Sequence, residues 1–95
     1  MTESTQERVA SFVDEHNLDK PLPEQLVELA NKVGELATAY LEASDYGKRD
    51  FLPTDNWLDD ITTVYLALLC VANQTHVDLE HALEVRLKHD DSKLD

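Results

Sequence analysis

The sequence is short of glycine, proline, cysteine and positive charge, and each shortage excludes something. Two glycines and three prolines in 95 residues leave little of the turn grammar that an all-β chain needs. A single cysteine, Cys70, rules out an internal disulfide. Its place among Leu68, Leu69 and Val71 predicts a buried, inert thiol rather than a nucleophile. Only eight bases stand against 20 acids, a formal net charge of −12. So few cations supply no basic patch for DNA, RNA or anionic lipid. The longest apolar run, Val64 to Ala72, is nine residues, too short to span a bilayer. Met1 to Gln6 is polar, so no secretory leader is expected and the expected compartment is the cytoplasm. The acidic surface fits either a salt-rich cytoplasm or an ordinary acidic cytosolic protein.

What is present is helical periodicity. The length allows one domain, residues 1–95, and marginal monomers of this size often gain burial by oligomerising. The central stretch is LVELANKVGELATAYLEAS, residues 26–44. Leu26, Leu29, Ala30, Val33, Leu36, Ala37, Tyr40 and Leu41 repeat at i, i+3, i+4, i+7, which predicts a long helix over 24–44 with that stripe inward. Pro23 suits its first turn, and Asp45-Tyr46-Gly47 its stop, with Gly47 as the residue fitted to a left-handed conformation. A first helix is predicted over 5–16, with Ser4 and Glu7 at capping-box spacing. Phe51 and Leu52, after the bases Lys48 and Arg49, are expected to fold back onto the helices.

A third helix is predicted over 55–75, capped by Thr54, with Trp57, Leu58, Ile61, Val64, Tyr65, Leu68, Leu69 and Ala72 as its stripe. A fourth is predicted over 79–89, capped by Asp78, with Leu79, Ala82, Leu83 and Leu87 inward and a frayed tail over 90–95. No segment alternates with period two. The expected class is all-α, a four-helix bundle with two long central helices.

The chemistry-bearing candidates are acids. Two acids at i and i+3 on a helix share a face and can share a divalent cation, and a second pair from a facing helix completes an oxygen cage. Glu35, preceded by Gly34, borders the apolar stripe of the second helix, where a carboxylate is costly without a partner. Asp60, beside Asp59, sits on the third. Lys32 stands three before Glu35, and Thr63 three after Asp60. Half of a cage is therefore present.

The order LVELANKVGELA, then DNWLDDITTVYLALLCVAN, then THVDLEHAL resembles the MazG-like all-α nucleoside-triphosphate pyrophosphohydrolases over about residues 22–90. The resemblance implies hydrolysis of an NTP to NMP and pyrophosphate, with Mg²⁺ held by Glu-x-x-Glu on one helix and Glu-x-x-Asp on the next. By that correspondence Glu35 and Asp60 are the surviving catalytic and metal-binding acids. Lys32 and Thr63 are departures at the other two corners. Arg86 and Lys88 stand where the family's last helix meets phosphates, and Asn73 where its Asn reaches a base. Trp57 could line the pocket. The association implied is a dimer or a dimer of dimers through helices two and three.

Lys32 is a serious departure. Unit charges 4 Å apart interact by about 4 kcal/mol at an effective dielectric of 20. A divalent cation doubles this, and about 2 kcal/mol remains with full water screening. Two readings follow. In the first, hydrolysis is weakened or lost, with Mg²⁺ if any activity remains. Lys32 neutralises Glu28 and Glu35, and the Thr63 hydroxyl meets Asp60 or a water. In the second, the chain is a non-catalytic nucleotide-sensing or oligomerisation module, or the partner of an active homologue. Lys32 could alternatively touch a substrate phosphate, and Asn73 could cap its own helix. His16, His76, His81 and His89 carry no convincing zinc spacing.

Overall fold

The computed structural model describes residues 3–94 and is built of four helices: α1 Thr5–Glu15, α2 Leu22–Ala43, α3 Asp55–Gln74 and α4 Leu79–Leu94. No strand occurs among the described residues, and the all-α, four-helix expectation holds. Side-chain caps begin three of them. Ser4 Oγ accepts from the Glu7 N–H at 3.1 Å and Glu7 Oε1 accepts from the Ser4 N–H at 3.2 Å, completing the capping box of α1. Thr54 Oγ1 accepts from the Trp57 N–H at 3.3 Å to start α3. Asp78 Oδ1 accepts from the His81 N–H at 3.1 Å to start α4. The second helix begins instead on the fixed backbone of Pro21, with Pro23 in its first turn.

Three helices end in the same way. The N–H two residues past the cap returns to a carbonyl five residues earlier: Leu18 to Val13 at 2.9 Å, Tyr46 to Leu41 at 2.7 Å and Val77 to Ala72 at 2.9 Å. This closure requires a left-handed residue, supplied by Asn17 (φ 53°), Asp45 (φ 51°) and His76 (φ 58°). The α2 stop differs from expectation. Asp45, Tyr46 (φ 56°) and Gly47 (φ 88°) are all left-handed in succession, so the glycine does not carry the turn alone. Buried Ser44 holds it, accepting from the Gly47 N–H at 3.2 Å, and Arg49 Nε donates to the Ala43 carbonyl at 3.0 Å.

The two long helices run antiparallel. At one end Tyr40, Phe51 and Trp57 form an edge-to-face cluster with ring centroids 4.8 to 6.3 Å apart. At the other end Gln74 Nε2 donates to the Lys20 carbonyl at 3.0 Å. Among the described residues Ala67, Leu69 and Ala72 of α3 are the buried apolar ones; two alanines there let the neighbouring backbones approach. α2 and α1 each pack on α3. Phe51 folds back as expected, whereas Leu52 is exposed.

Three expectations are corrected. Within the predicted α2 stripe only Leu29 and Leu36 are even partly covered; Leu26, Ala30, Val33, Ala37, Tyr40 and Leu41 are exposed. The covered line of α2 passes instead through Gln25, Leu29, Lys32 and Leu36. Second, α4 does not fray at 90: it runs to Leu94, with Arg86 Nε donating to both carboxylate oxygens of Asp90 at 3.0 and 3.2 Å. Asp95 lies outside the described residues. Third, Ala82, Leu83 and Leu87 of α4 are not inward but exposed, and so are Leu58, Ile61, Tyr65 and Leu68 of the predicted α3 stripe. The fourth helix is held at its start. Gln6 of α1 accepts from the Leu79 N–H at 2.7 Å and donates to the Val77 carbonyl at 2.8 Å.

Candidate functional site

The one-turn spacing of Lys32 and Glu35 places them on the same side of α2, and their side chains meet: Lys32 Nζ lies 3.3 Å from Glu35 Oε2. Glu35 is not at the edge of a core. Its side chain is 65% exposed, while that of Lys32 is 33% exposed. Glu28 is not neutralised by Lys32 but by Lys20, from the lead-in to α2, with the Gln25 amide also donating to it at 3.5 Å. The two lysines thus take separate glutamates.

These side chains line a shallow groove of about 550 Å³ bordered by Lys20, Glu24, Glu28, Asn31, Lys32 and Glu35. All come from α2 and the residues leading into it, so Asp60 and Thr63 of α3 are not part of its wall. Asp60 is half-buried, and no ion pair reaches it among the described residues. The Thr63 hydroxyl donates to the Asp59 backbone carbonyl at 2.9 Å, rather than to Asp60. A hydroxyl bonded to its own helix four residues back is common on helix surfaces and is no substitute for a carboxylate ligand.

The remaining candidates are dispersed. Trp57 belongs to the aromatic cluster that holds the 44–54 loop. Asn73 neither caps α3 nor stands free. Its Nδ2 donates to the Gln6 carbonyl at 3.0 Å and its Oδ1 accepts from Gln6 Nε2 at 3.2 Å. Arg86 is paired with Asp90. Lys88 is exposed on α4, with no ion-pair partner among the described residues.

Cys70 is half-buried rather than fully buried. It lines a second cavity, of about 210 Å³, together with Val13, Leu18, Gln25 and Asn73. Burial pushes its thiol above the ordinary range, the Glu28 carboxylate adds to the rise, and Lys20 opposes it. Gln25, 5% exposed, and Gln6, which bonds to Asn73, Val77 and Leu79, are two polar residues drawn into this part of the molecule without a signal in the sequence pattern. A polar residue at a helix start reads as solvated, and only the three-dimensional junction shows otherwise.

A Mg²⁺ ion of the kind the resemblance implies does not fit these side chains. It calls for several carboxylates converging from two helices. Among the described residues no three of His, Cys, Asp and Glu are grouped to hold a metal. One surviving acid is already ion-paired, and the Thr63 hydroxyl is spent on its own helix. The fold and site define a small all-α protein with an ion-paired polar groove on α2. Comparison with family models, curated proteins and solved structures gives no match. No helix among the described residues is long and apolar enough to cross a membrane.

Proposed function

We propose that this chain is a MazG-like protein in which hydrolysis of nucleoside triphosphates to NMP and pyrophosphate is weak or lost. The alternative reading is a non-catalytic module that senses nucleotide, drives oligomerisation or pairs with an active homologue; on either reading it works in the cytoplasm. The family assignment rests on the framing phrases around Gly34-Glu35, Asp59-Asp60 and Asp78-Leu79-Glu80. The loss of catalysis rests on one observation, the 3.3 Å contact between Lys32 and Glu35. An ammonium there supplies one positive charge where a divalent cation would supply two. It needs no further carboxylates, and it leaves no empty coordination position for water or phosphate.

The groove also lacks the charge for a triphosphate. Its three glutamates outnumber its two lysines, and both lysines are paired. Calorimetric titration with Mg²⁺ and Mn²⁺ tests this reading. It expects no saturable heat at millimolar metal. A saturable site that disappears in Glu35→Gln contradicts it.

A further inference from the structure

A groove of about 930 Å³ is lined by the end of α3, the start of α4 and the first turn of α1. Its apolar lining comes from two helices: Tyr65, Leu68, Leu69 and Ala72 of α3, and Leu79 and Leu83 of α4. On a wheel of about 100° per residue, Leu87 and Leu94 fall in the same sector of α4 as Leu79 and Leu83. The leucine face therefore runs on along α4 past the groove. Residues 80–89 of that helix are all exposed, so no other described residue covers the face.

The charges in the groove are of one sign. Glu7, Asp78 and Glu80 line it, with no lysine or arginine, and no ion pair reaches any of the three among the described residues. The groove on α2 is different, because its glutamates at 28 and 35 are each met by a lysine. The N-termini of α1 and α4 offset about half a charge each, and the C-terminus of α3 adds back about half a negative one, so the groove stays net negative.

We infer that this groove receives an amphipathic helix with a basic polar face, supplied by another protein. Two helices with apolar residues at helical spacing offer ridges and grooves for a third. An extended peptide would need a sheet edge, and no strand occurs among the described residues. The unpaired acids select bases beside the partner's apolar stripe. They also argue against a second copy as occupant, since each of the four helices of this chain carries more acids than bases. The occupant stabilises α4 in return. Gln6 fixes its first turn, but a lone exposed helix of this length is marginal in water. The inference rests on this groove and stands apart from the nucleotide reading.

A fluorescent peptide of about 18 leucines and lysines in amphipathic order is the probe, and a scrambled peptide of the same composition is its control. Anisotropy should show micromolar binding of the ordered peptide, about tenfold tighter than the scrambled one. Leu83→Asp should weaken binding about tenfold. Leu52→Asp adds the same charge at an exposed position before the start of α3 and should leave binding unchanged. Glu80→Gln should weaken it about threefold at low salt, and Glu42→Gln, at the far end of the long helices, should not. Saturating peptide should slow amide exchange along α4, which a peptide held only by net charge would leave unchanged. Absence of binding, equal binding of the two peptides, or equal losses in Leu83→Asp and Leu52→Asp would overturn the inference. A native chain that scatters light as two copies, and as one in Leu83→Asp, would give the groove to a second copy and overturn it too. If Leu83→Asp loses helicity by circular dichroism, Glu80→Gln and the exchange of α4 decide, and no response in either contradicts the inference.

Discussion

Lys32 and Glu35 form an ion pair across one turn of α2, 3.3 Å from ammonium nitrogen to carboxylate oxygen. An exposed pair of this kind contributes a few tenths of a kcal/mol, and lysine preceding glutamate is the poorer order on a helix. The pair therefore matters for what it occupies rather than for stability. Lys32→Ala should change the unfolding free energy by less than about 0.5 kcal/mol in urea. A loss above about 2 kcal/mol would show that the lysine is structural.

Restoring acids should restore a cation site in part. The double change Lys32→Glu with Thr63→Asp removes the competing ammonium and adds two carboxylates, one to each long helix. Calorimetry should then detect Mg²⁺ or Mn²⁺ binding in the millimolar range. The accompanying production of pyrophosphate from NTPs is expected only if those two positions are the whole defect. No binding by the double variant would mean that α2 and α3 do not bring the four positions together.

Gln6 joins α1 to the start of α4 and to Asn73 of α3 through both ends of its amide. Gln6→Ala leaves the Leu79 N–H and the Val77 carbonyl without that partner, a cost of about 1–3 kcal/mol. Urea unfolding measures the loss. Amide exchange should rise first at Leu79 and nearby α4 residues, where Gln6 supplies the bond.

The parts of this fold that are local could be read from the chain, and the parts that are not could not. Ser4 with Glu7, Thr54 with Trp57, and Asp78 with His81 lie three residues apart, so the caps are visible as sequence patterns. Gln6 and Asn73 are 67 positions apart, and no spacing rule links them. The apolar stripe of α2 was legible as a stripe, but periodicity cannot name its partner. Leu29 and Leu36 are partly covered, while Leu26 and Val33 stay exposed. A carboxylate at Glu35 is awkward only where that stripe is core; on an exposed side of the helix it needs no buried partner. The positions of Lys32 and Thr63 were legible, but the actual partners of Glu28 and Thr63 depend on Lys20 and on rotamers that spacing does not fix.

Backbone conformation gives a second set of outcomes. Gly34 lies inside α2 with nothing near the place a Cβ would occupy, so Gly34→Ala should stabilise by about 1 kcal/mol. His76 holds a left-handed conformation that costs a non-glycine residue about 1 kcal/mol, so His76→Gly should raise the melting temperature. Gly47, at φ 88°, should respond in the opposite direction when replaced by Ala. Thermal unfolding of the three variants checks the signs.

Cys70 carries a pH signature. Its folded thiol is raised above the ordinary value by burial, then by Glu28. The folded state therefore holds its proton to higher pH than the unfolded chain does. Stability is unaffected below the unfolded thiol value. It falls as pH rises from there toward the folded value, and Cys70→Ser should remove that part of the slope. Alkylation of the native thiol should lag behind a free thiol at pH 8 and catch up above the folded value.

The central claim, that an ammonium on α2 has taken the place of a metal, is tested most directly by pyrophosphate release. The purified chain would be incubated with a mixture of canonical NTPs and dNTPs in millimolar Mg²⁺ or Mn²⁺. The account predicts at most trace release over the protein-free control. Brisk release by the native chain that Glu35→Gln abolishes would contradict it.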